Sequence, residues 1–314
     1  MVWGMQCWWL FLSGLLALLL PLRSGGSEPV PVRVADGVYA FVGAAGDIGP
    51  GNLGRIGNSG FIVGPTGIAV VDTGVSHAHG LDLLAAIRRV SDKPVDVVIL
   101  THAVQEFLYG STAFEDAGAR LLTHRESAGL MRARCEHCLE NLRVIVGEEP
   151  MAGTRLVVPD WTVDGSISLT VGGRRLELLH PGWSSTPGDL MVLDVESRVL
   201  FAGGLVTNTR VPELRDGKLG AWVGALDDLA RLDLSWIVPG YGAPMRPAGI
   251  VGTRDYLRDL DARVHELYGA MASLMEAVEQ GGLPRYADWP GYDSLHRKNT
   301  QQRYLELEIE ELAR

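Results

Sequence analysis

Two apolar, β-branched runs constrain this chain more than anything else in it. Ile68-Ala69-Val70-Val71 and Val95 to Leu100, the second interrupted only by Asp96 near its start, lack the polar alternation of a strand with one wet face, and a stretch of helical period separates them. Runs of this type fit strands covered on both faces, which is the situation of a sheet buried between helices and a second apolar layer. The elements around them agree. Phe61-Ile62-Val63 precedes Ile68 across Gly64-Pro65-Thr66-Gly67, a strong hairpin signal. Ser76 is placed to cap a helix reaching about Val90, with Leu81, Leu84 and Ile87 at helical spacing.

The same order continues along the chain. Val30 to Val42 reads as two short strands around the turn Asp36-Gly37, and Gly43 to Gly60 as a Gly- and Asn-rich loop. After Phe114, Arg120-Leu121-Leu122 is a strand followed by a helix from about Glu126 to Leu142. Strands are expected at 166–171, 175–180, 189–194 and 199–202, a helix at 223–232 and a short strand at Trp236-Ile237-Val238. One long amphipathic helix is expected from Thr253 to Gln280, and another from about Asn299 to Leu312. Strand-rich stretches alternating with helices fit two sheets, each covered on one side by helices. No repeat, linker or low-complexity tract divides the 314 residues, so residues 27–314 read as a single domain with a helical C-terminal extension from about 253.

Residues 1–26 stand apart. No charge falls between Val2 and Leu22, Trp8 to Leu20 is almost wholly apolar, and small residues follow Arg23. This reads as a secretory signal peptide, with an uncleaved N-terminal anchor as the rival. Export to the periplasm or secretion is the expectation, and a membrane partner only if the leader stays. The chain carries 28 Lys+Arg against 38 Asp+Glu, a formal charge of −10 with no basic run, which disfavours nucleic acid as a partner. With Cys7 in the leader, Cys135 and Cys138 remain, in Cys135-Glu136-His137-Cys138. In an oxidising compartment a local disulfide is the preferred reading, with free thiols, a redox pair or a metal site as alternatives.

Five punctuated segments then fall in register. Val71-Asp72-Thr73-Gly74 closes the hairpin and Thr101-His102 follows the buried strand. Thr186-Pro187-Gly188-Asp189-Leu190, Leu200-Phe201-Ala202-Gly203 and Val238-Pro239-Gly240 complete the series. In this order and spacing the chain resembles the metallo-β-lactamase superfamily over roughly residues 30–245. The resemblance implies an α/β (α+β) fold, the four-layer αβ/βα metallo-β-lactamase sandwich, with an active site along one edge between the sheets. A narrower resemblance lies in Val38-Tyr39-Ala40-Phe41-Val42, in Asn58 to Gly64 and in the tail Asp293 to Asn299 with Tyr304 to Glu308. These are similar to the exported quinoprotein relay system zinc metallohydrolases, associated with periplasmic alcohol-oxidising quinoproteins.

The superfamily holds two zinc ions, which lower the pKa of bound water from about 15.7 to about 7 and so supply hydroxide. Its ligands come from a His-x-His-x-Asp-His run, a His before Thr-x-Gly-Asp, an Asp after Phe-x-Gly and a His after Pro-Gly. Carried onto this sequence, His102 matches the first position. Val104, Glu106, Phe107, Ser185, Gly204 and Tyr241 stand at the others, so one ligand of the usual seven remains. Val and Phe offer no lone pair and Gly no side chain, so neither zinc nor another cofactor is expected. The leading expectation is a non-catalytic pseudoenzyme binding a small molecule or a periplasmic protein, with a quinoprotein dehydrogenase system as the candidate that the subgroup suggests. A purely structural accessory to such a system is a further reading. The alternative is a hydrolase acting at a residual or non-zinc site, with His102, Glu106 and Tyr241 as catalytic candidates. Asp72 and Asp189 are expected near that site, where the plainer account has them satisfying loop amides while Val104 and Phe107 fill space. Gly51-Asn52-Leu53-Gly54-Arg55-Ile56-Gly57 lacks the strand-turn-helix setting of a phosphate loop and reads as a flexible loop. His77, His79 and His124 read as surface residues.

Overall fold

A computed structural model describes Met1 and residues 28–313; residues 2–27, and with them the expected leader and Cys7, lie outside the described residues, as does Arg314. The first sheet has seven strands in chain order. They are β1 (Val32–Ala35), β2 (Val38–Phe41), β3 (Ser59–Val63), β4 (Ile68–Val71), β5 (Val95–Ile99), β6 (Arg120–His124) and β7 (Trp161–Val163). The pairs from β1 to β4 are antiparallel and those from β4 to β7 parallel. The second sheet comprises β8 (Ile167–Val171), β9 (Arg174–Leu179), β10 (Met191–Asp194), β11 (Val199–Phe201) and β12 (Trp236–Val238), with only the β11–β12 pair parallel. The helices are α1 (His77–Val90), α2 (Gln105–Leu108), α3 (Ser111–Asp116), α4 (Arg125–Val146), α5 (Leu219–Leu229), α6 (Ile250–Gly269), α7 (Leu274–Gln280) and α8 (Arg297–Leu312).

Strand alternation explains why the apolar runs are continuous. In β4, Ile68 and Val70 join Leu83 and Ile87 of α1 and Met131 and Leu139 of α4 in one core. Ala69 and Val71 point the other way, into a core shared with Leu176, Val192 and Phe201 of the second sheet. On the far side of that sheet, Leu200 and Ile237 pack with Trp222 of α5 and Tyr256 and Leu260 of α6. Successive side chains of a strand face opposite sides, so a strand with apolar layers on both sides has no place for a polar residue. The three cores separate four layers in the order helix, sheet, sheet, helix.

Two registers position the site. The parallel pairing sets Val71 beside Ile99, so the residues that follow, Asp72 and Thr101, meet beyond the strand ends. Phe201 pairs with Val238, which brings Gly203 against Gly240 so closely that a Cβ on Gly240 would lie 2.6 Å from the Gly203 carbonyl oxygen.

Several expectations need correction. The helix expected over 253–280 is two helices, because Met271 adopts φ 60° and the Ala272 N–H turns back to the Leu267 carbonyl. Ser273 then starts α7 with a capping box to Glu276. The short elements β7, α2 and α3 carry no sequence signal of their own. Cys135 and Cys138 are free thiols rather than a disulfide. They lie one turn apart inside α4, where β-carbons sit about 5–6 Å apart, whereas a disulfide needs about 3.5–4.5 Å. His124 is buried, not on the surface: its Nδ1 accepts from the Glu126 N–H at the start of α4, and its ring stacks on His180 at 4.0 Å. His79 is buried as well.

The far end of the inter-sheet core is closed by an ion pair. Arg174 Nε and Nη2 donate to the two carboxylate oxygens of Asp194 at 2.8 and 2.7 Å, and Nη2 also donates to the Asp36 carbonyl in the β1–β2 turn at 3.0 Å. Both side chains are buried, so removing one partner strands the other. R174M should therefore cost about 3–5 kcal/mol, and R174M/D194L less than R174M alone, as urea unfolding would measure. A loss below about 1 kcal/mol in R174M, typical of a surface pair, would contradict this account.

Candidate functional site

The site is built at the edge where the two sheets meet. Asp72 leaves β4 in the left-handed region, φ 57°, a conformation that short acidic and amide side chains tolerate. Its Oδ1 accepts the Thr101 N–H and its Oδ2 the Thr101 hydroxyl, both at 2.8 Å. Thr101 Oγ1 lies 2.7 Å from His102 Nδ1. A hydroxyl donates once, so the proton positions along this row are coupled. While Asp72 is ionised, Thr101 donates to it and His102 Nδ1–H donates to Thr101. Protonating Asp72 reverses both bonds and leaves the imidazole proton on Nε2. Burial pushes the Asp72 carboxyl up to about 7, against the two bonds from Thr101. Burial also lowers His102 to about 3, with the Arg215 guanidinium adding to the effect, so the ring is neutral.

The structure brings the sequence-predicted positions together around His102. Phe107 is fully buried on α2, its ring 4.5 Å from His102 and 5.3 Å edge-on to Tyr241. Glu106, also buried, accepts the Tyr241 hydroxyl at 2.6 Å, and burial raises its carboxyl above the usual range. The Arg210 guanidinium lies 4.8 Å over the Tyr241 ring. Gly204 packs so tightly that a Cβ there would sit 2.8 Å from His102 Nε2 and 3.2 Å from Ser185 Oγ. Asp189 accepts the N–H and hydroxyl of both Ser185 and Thr186 at 2.7–2.9 Å. What stays open is a cleft of about 30 Å³ bordered by His102, Val104, Ser185, Gly204, Arg215 and Tyr241, room for about one water. Cys135 and Cys138 are not part of this cluster; they sit on α4 beyond Arg134 and Arg215. The mutual hydrogen bond between the thiols, with those two guanidinium groups, lowers Cys138 to about 6.

The comparisons with known proteins fit this architecture. A family model described as the metallo-β-lactamase superfamily matches residues 53–103. A metallo-β-lactamase from Pontibacter korlensis superposes with a TM-score of 0.60 at 20% identity, covering 74% of this chain and 99% of that one. The protein has the metallo-β-lactamase fold. Among curated relatives, a linear primary-alkylsulfatase from Pseudomonas sp. (strain ATCC 19151) is 24% identical over 217 residues, 59% of this chain and 41% of that protein. A type 2 metallo-β-lactamase from Bacillus sp. (strain 170) is 21% identical over 197 residues, 61% of this chain and 69% of its own length. The chain thus spans less than half the length of the alkylsulfatase. Family model, relatives and solved structures together support membership of the metallo-β-lactamase superfamily.

Within this metallo-β-lactamase fold, sequence reasoning located His102, Glu106, Phe107, Ser185, Gly204 and Tyr241 but missed the groups that surround them. Arg210, Glu213 and Arg215 come from the irregular stretch between β11 and α5, which has no periodicity to place it. Their charges are the one available signal. Asn58 was legible only as part of a motif, although it ties the sheets together at this edge.

Two measurements probe the cluster. F107A should destabilise the protein by about 3–5 kcal/mol, the cost of emptying a packed aromatic site; a cost under about 1 kcal/mol would mean that the ring lies in an open cleft. The second concerns Asp72. Its folded-state carboxyl holds a proton to a higher pH than its ordinary value of 3.8, so its stability contribution is full below that value and is lost as pH rises through about 7. D72N copies the protonated carboxyl and should flatten the fall in urea midpoint between about pH 4 and 8. Parallel pH profiles for the two proteins would refute the assignment.

Proposed function

We propose that this protein is an exported metallo-β-lactamase-fold pseudoenzyme, working without zinc chemistry and binding a small molecule or a periplasmic protein. The observation that carries this reading is Phe107: a fully buried ring, without a lone pair to offer a metal, packs against both His102 and Tyr241. The donor set supports it. A zinc ion with catalytic function takes three protein ligands plus water. Here one imidazole survives, the Ser185 hydroxyl is given to Asp189, and the Tyr241 hydroxyl to Glu106. A carboxylate at position 204 would collide with His102. The residues present do not fit the dinuclear centre.

The resemblance to the quinoprotein-associated subgroup suggests the setting: a periplasmic or secreted protein serving a quinoprotein dehydrogenase system. The alkylsulfatase and β-lactamase activities named for its relatives are not carried over, since both identities are under 25%. Purified protein equilibrated with one equivalent of zinc and then desalted should retain less than about a tenth of an equivalent, because losing even outer partners of a zinc site weakens it 10–100-fold. Stoichiometric zinc with turnover of ester, thioester or lactam substrates would sink the proposal.

One observation favours a second reading. The Tyr241 hydroxyl donates at 2.6 Å to a Glu106 carboxyl raised by burial, which sets an acid–base pair at the cleft. A hydrolase using His102, Glu106 and Tyr241 without zinc would lose its activity in H102A and keep it in the presence of chelators.

A further inference from the structure

Besides the face it packs on the protein, α8 carries an exposed apolar ridge. Asn299, Thr300, Arg303, Tyr304 and Leu307 turn inward and are buried. On the opposite side Leu305, Ile309 and Leu312 are 36%, 67% and 88% exposed. They recur at i, i+4 and i+7, so they line up along the helix instead of being scattered over the surface. A helix that covers one side of a domain ordinarily turns charged and polar residues to solvent, and a row of large aliphatic side chains there marks a contact surface.

The charges beside the ridge are segregated along the helix. Arg297 and Lys298 open it; Glu308, Glu310 and Glu311 lie near its end, with no basic residue in the last turn. Acid at a helix C-terminus opposes the backbone dipole, so this end attracts positive charge from elsewhere. On one flank, Glu306 and Glu310 pair with Arg303 of the same helix. On the other flank, Glu308 and Glu311 follow Arg297 at close to three and four whole turns, so all three project to the same side of the ridge.

A reversed copy of the same helix matches this pattern. Turning α8 about Leu305 lays ridge on ridge and sets Arg297 and Lys298 of one copy at the level of Glu308 and Glu311 of the other, at both ends of the pair. Such a contact uses the same patch on each subunit and closes as a dimer. With 16 residues α8 is about 24 Å long. One helix pair of that length buries less than the about 800 Å² per partner of a stable complex, so the dimer is weak and depends on concentration.

We infer that the exposed ridge of α8 is an interface with a second copy of this chain. The helices pair antiparallel through Leu305, Ile309 and Leu312, and Arg297 and Lys298 meet Glu308 and Glu311 at each end. This goes beyond the role proposed for the His102 cluster and does not depend on it.

Sedimentation equilibrium of the full chain tests the inference. A monomer–dimer equilibrium with a Kd of about 1–100 µM is expected. It should weaken as salt rises from about 0.05 to about 0.5 M, because the end charges are screened. I309E, which puts a charge into the ridge, and R297E/K298E, which sets like charges against each other, should each raise the Kd by at least about tenfold. R297E/K298E/E308R/E311R exchanges the charges on both sides of the contact and should bring the Kd back to within about threefold of the starting protein. The altered residues are exposed or half-buried, so the far-UV circular dichroism of every variant should match. A protein that stays monomeric up to about 500 µM, a dimer that I309E leaves intact, or a charge exchange that restores nothing would each overturn the proposal.

Discussion

A single buried amide fixes the two sheets to each other at the edge where the site lies. Asn58 precedes β3 and uses both polar atoms of its side chain. Its Oδ1 accepts the Gly43 N–H, and its Nδ2 donates to the carbonyls of Pro239 and Gly242, which lie about 180 residues away in the second sheet's last turn. Its own N–H donates to the Gly240 carbonyl at 2.8 Å. Three bonds therefore lock the turn that carries Tyr241 to the start of the strand that carries Phe61, and the fourth ties in the loop after β2. Without them the edge would depend on apolar contacts alone, which have no direction and would not aim Tyr241 at Glu106. At the opposite end the Arg174–Asp194 pair does the same for the β1–β2 turn. The apolar layer between the sheets is thus pinned at both ends by polar groups whose partners are far apart in sequence.

The cluster around His102 follows from that constraint. A carboxylate buried at Glu106 is costly unless it is hydrogen-bonded. The Tyr241 hydroxyl answers this with one bond, and Arg210 lies over the face of the same ring. Arg215, held between Glu213 and Asp216, adds positive charge at the cleft. The Tyr241 hydroxyl and the Arg210 guanidinium thus offset part of the cost of burying Glu106, while Phe107 supplies volume. Each of these residues makes sense only beside the others. Gly204 leaves room for the His102 ring, the ring packs on Phe107, and Phe107 packs on Tyr241.

How far the sequence exposed all this depends on the kind of signal. Continuous apolar runs such as Ile68–Val71 report burial on both faces directly, and the glycine-punctuated strand ends fix register, so the layers were legible. The residues of the central cluster were legible too, because each stands at a position that a motif defines. The packing state of the cluster was not, since a Phe beside a His reads the same whether the ring fills a gap or lines a cleft. The helix over 253–280 misled because its amphipathic period runs on through Met271, whose left-handed backbone leaves no mark in composition. The Cys135–Cys138 spacing misled for a related reason. Nearness in sequence suggests a bond, but the geometry of a helix interior holds the two β-carbons too far apart for one.

The loop between β2 and β3 rests on the central cluster. On one side Gly57 lies against Phe107, where an added Cβ would come within 2.9 Å of the ring. On the other side Arg55 and Leu53 line a cavity of about 470 Å³. Arg210 binds the same loop at Gly46 while covering Tyr241. The filled cluster is therefore the wall against which the loop rests. An open, hydrated cleft at His102 would remove that support. Filling the cluster and holding the loop are, in this structure, consequences of the same packing.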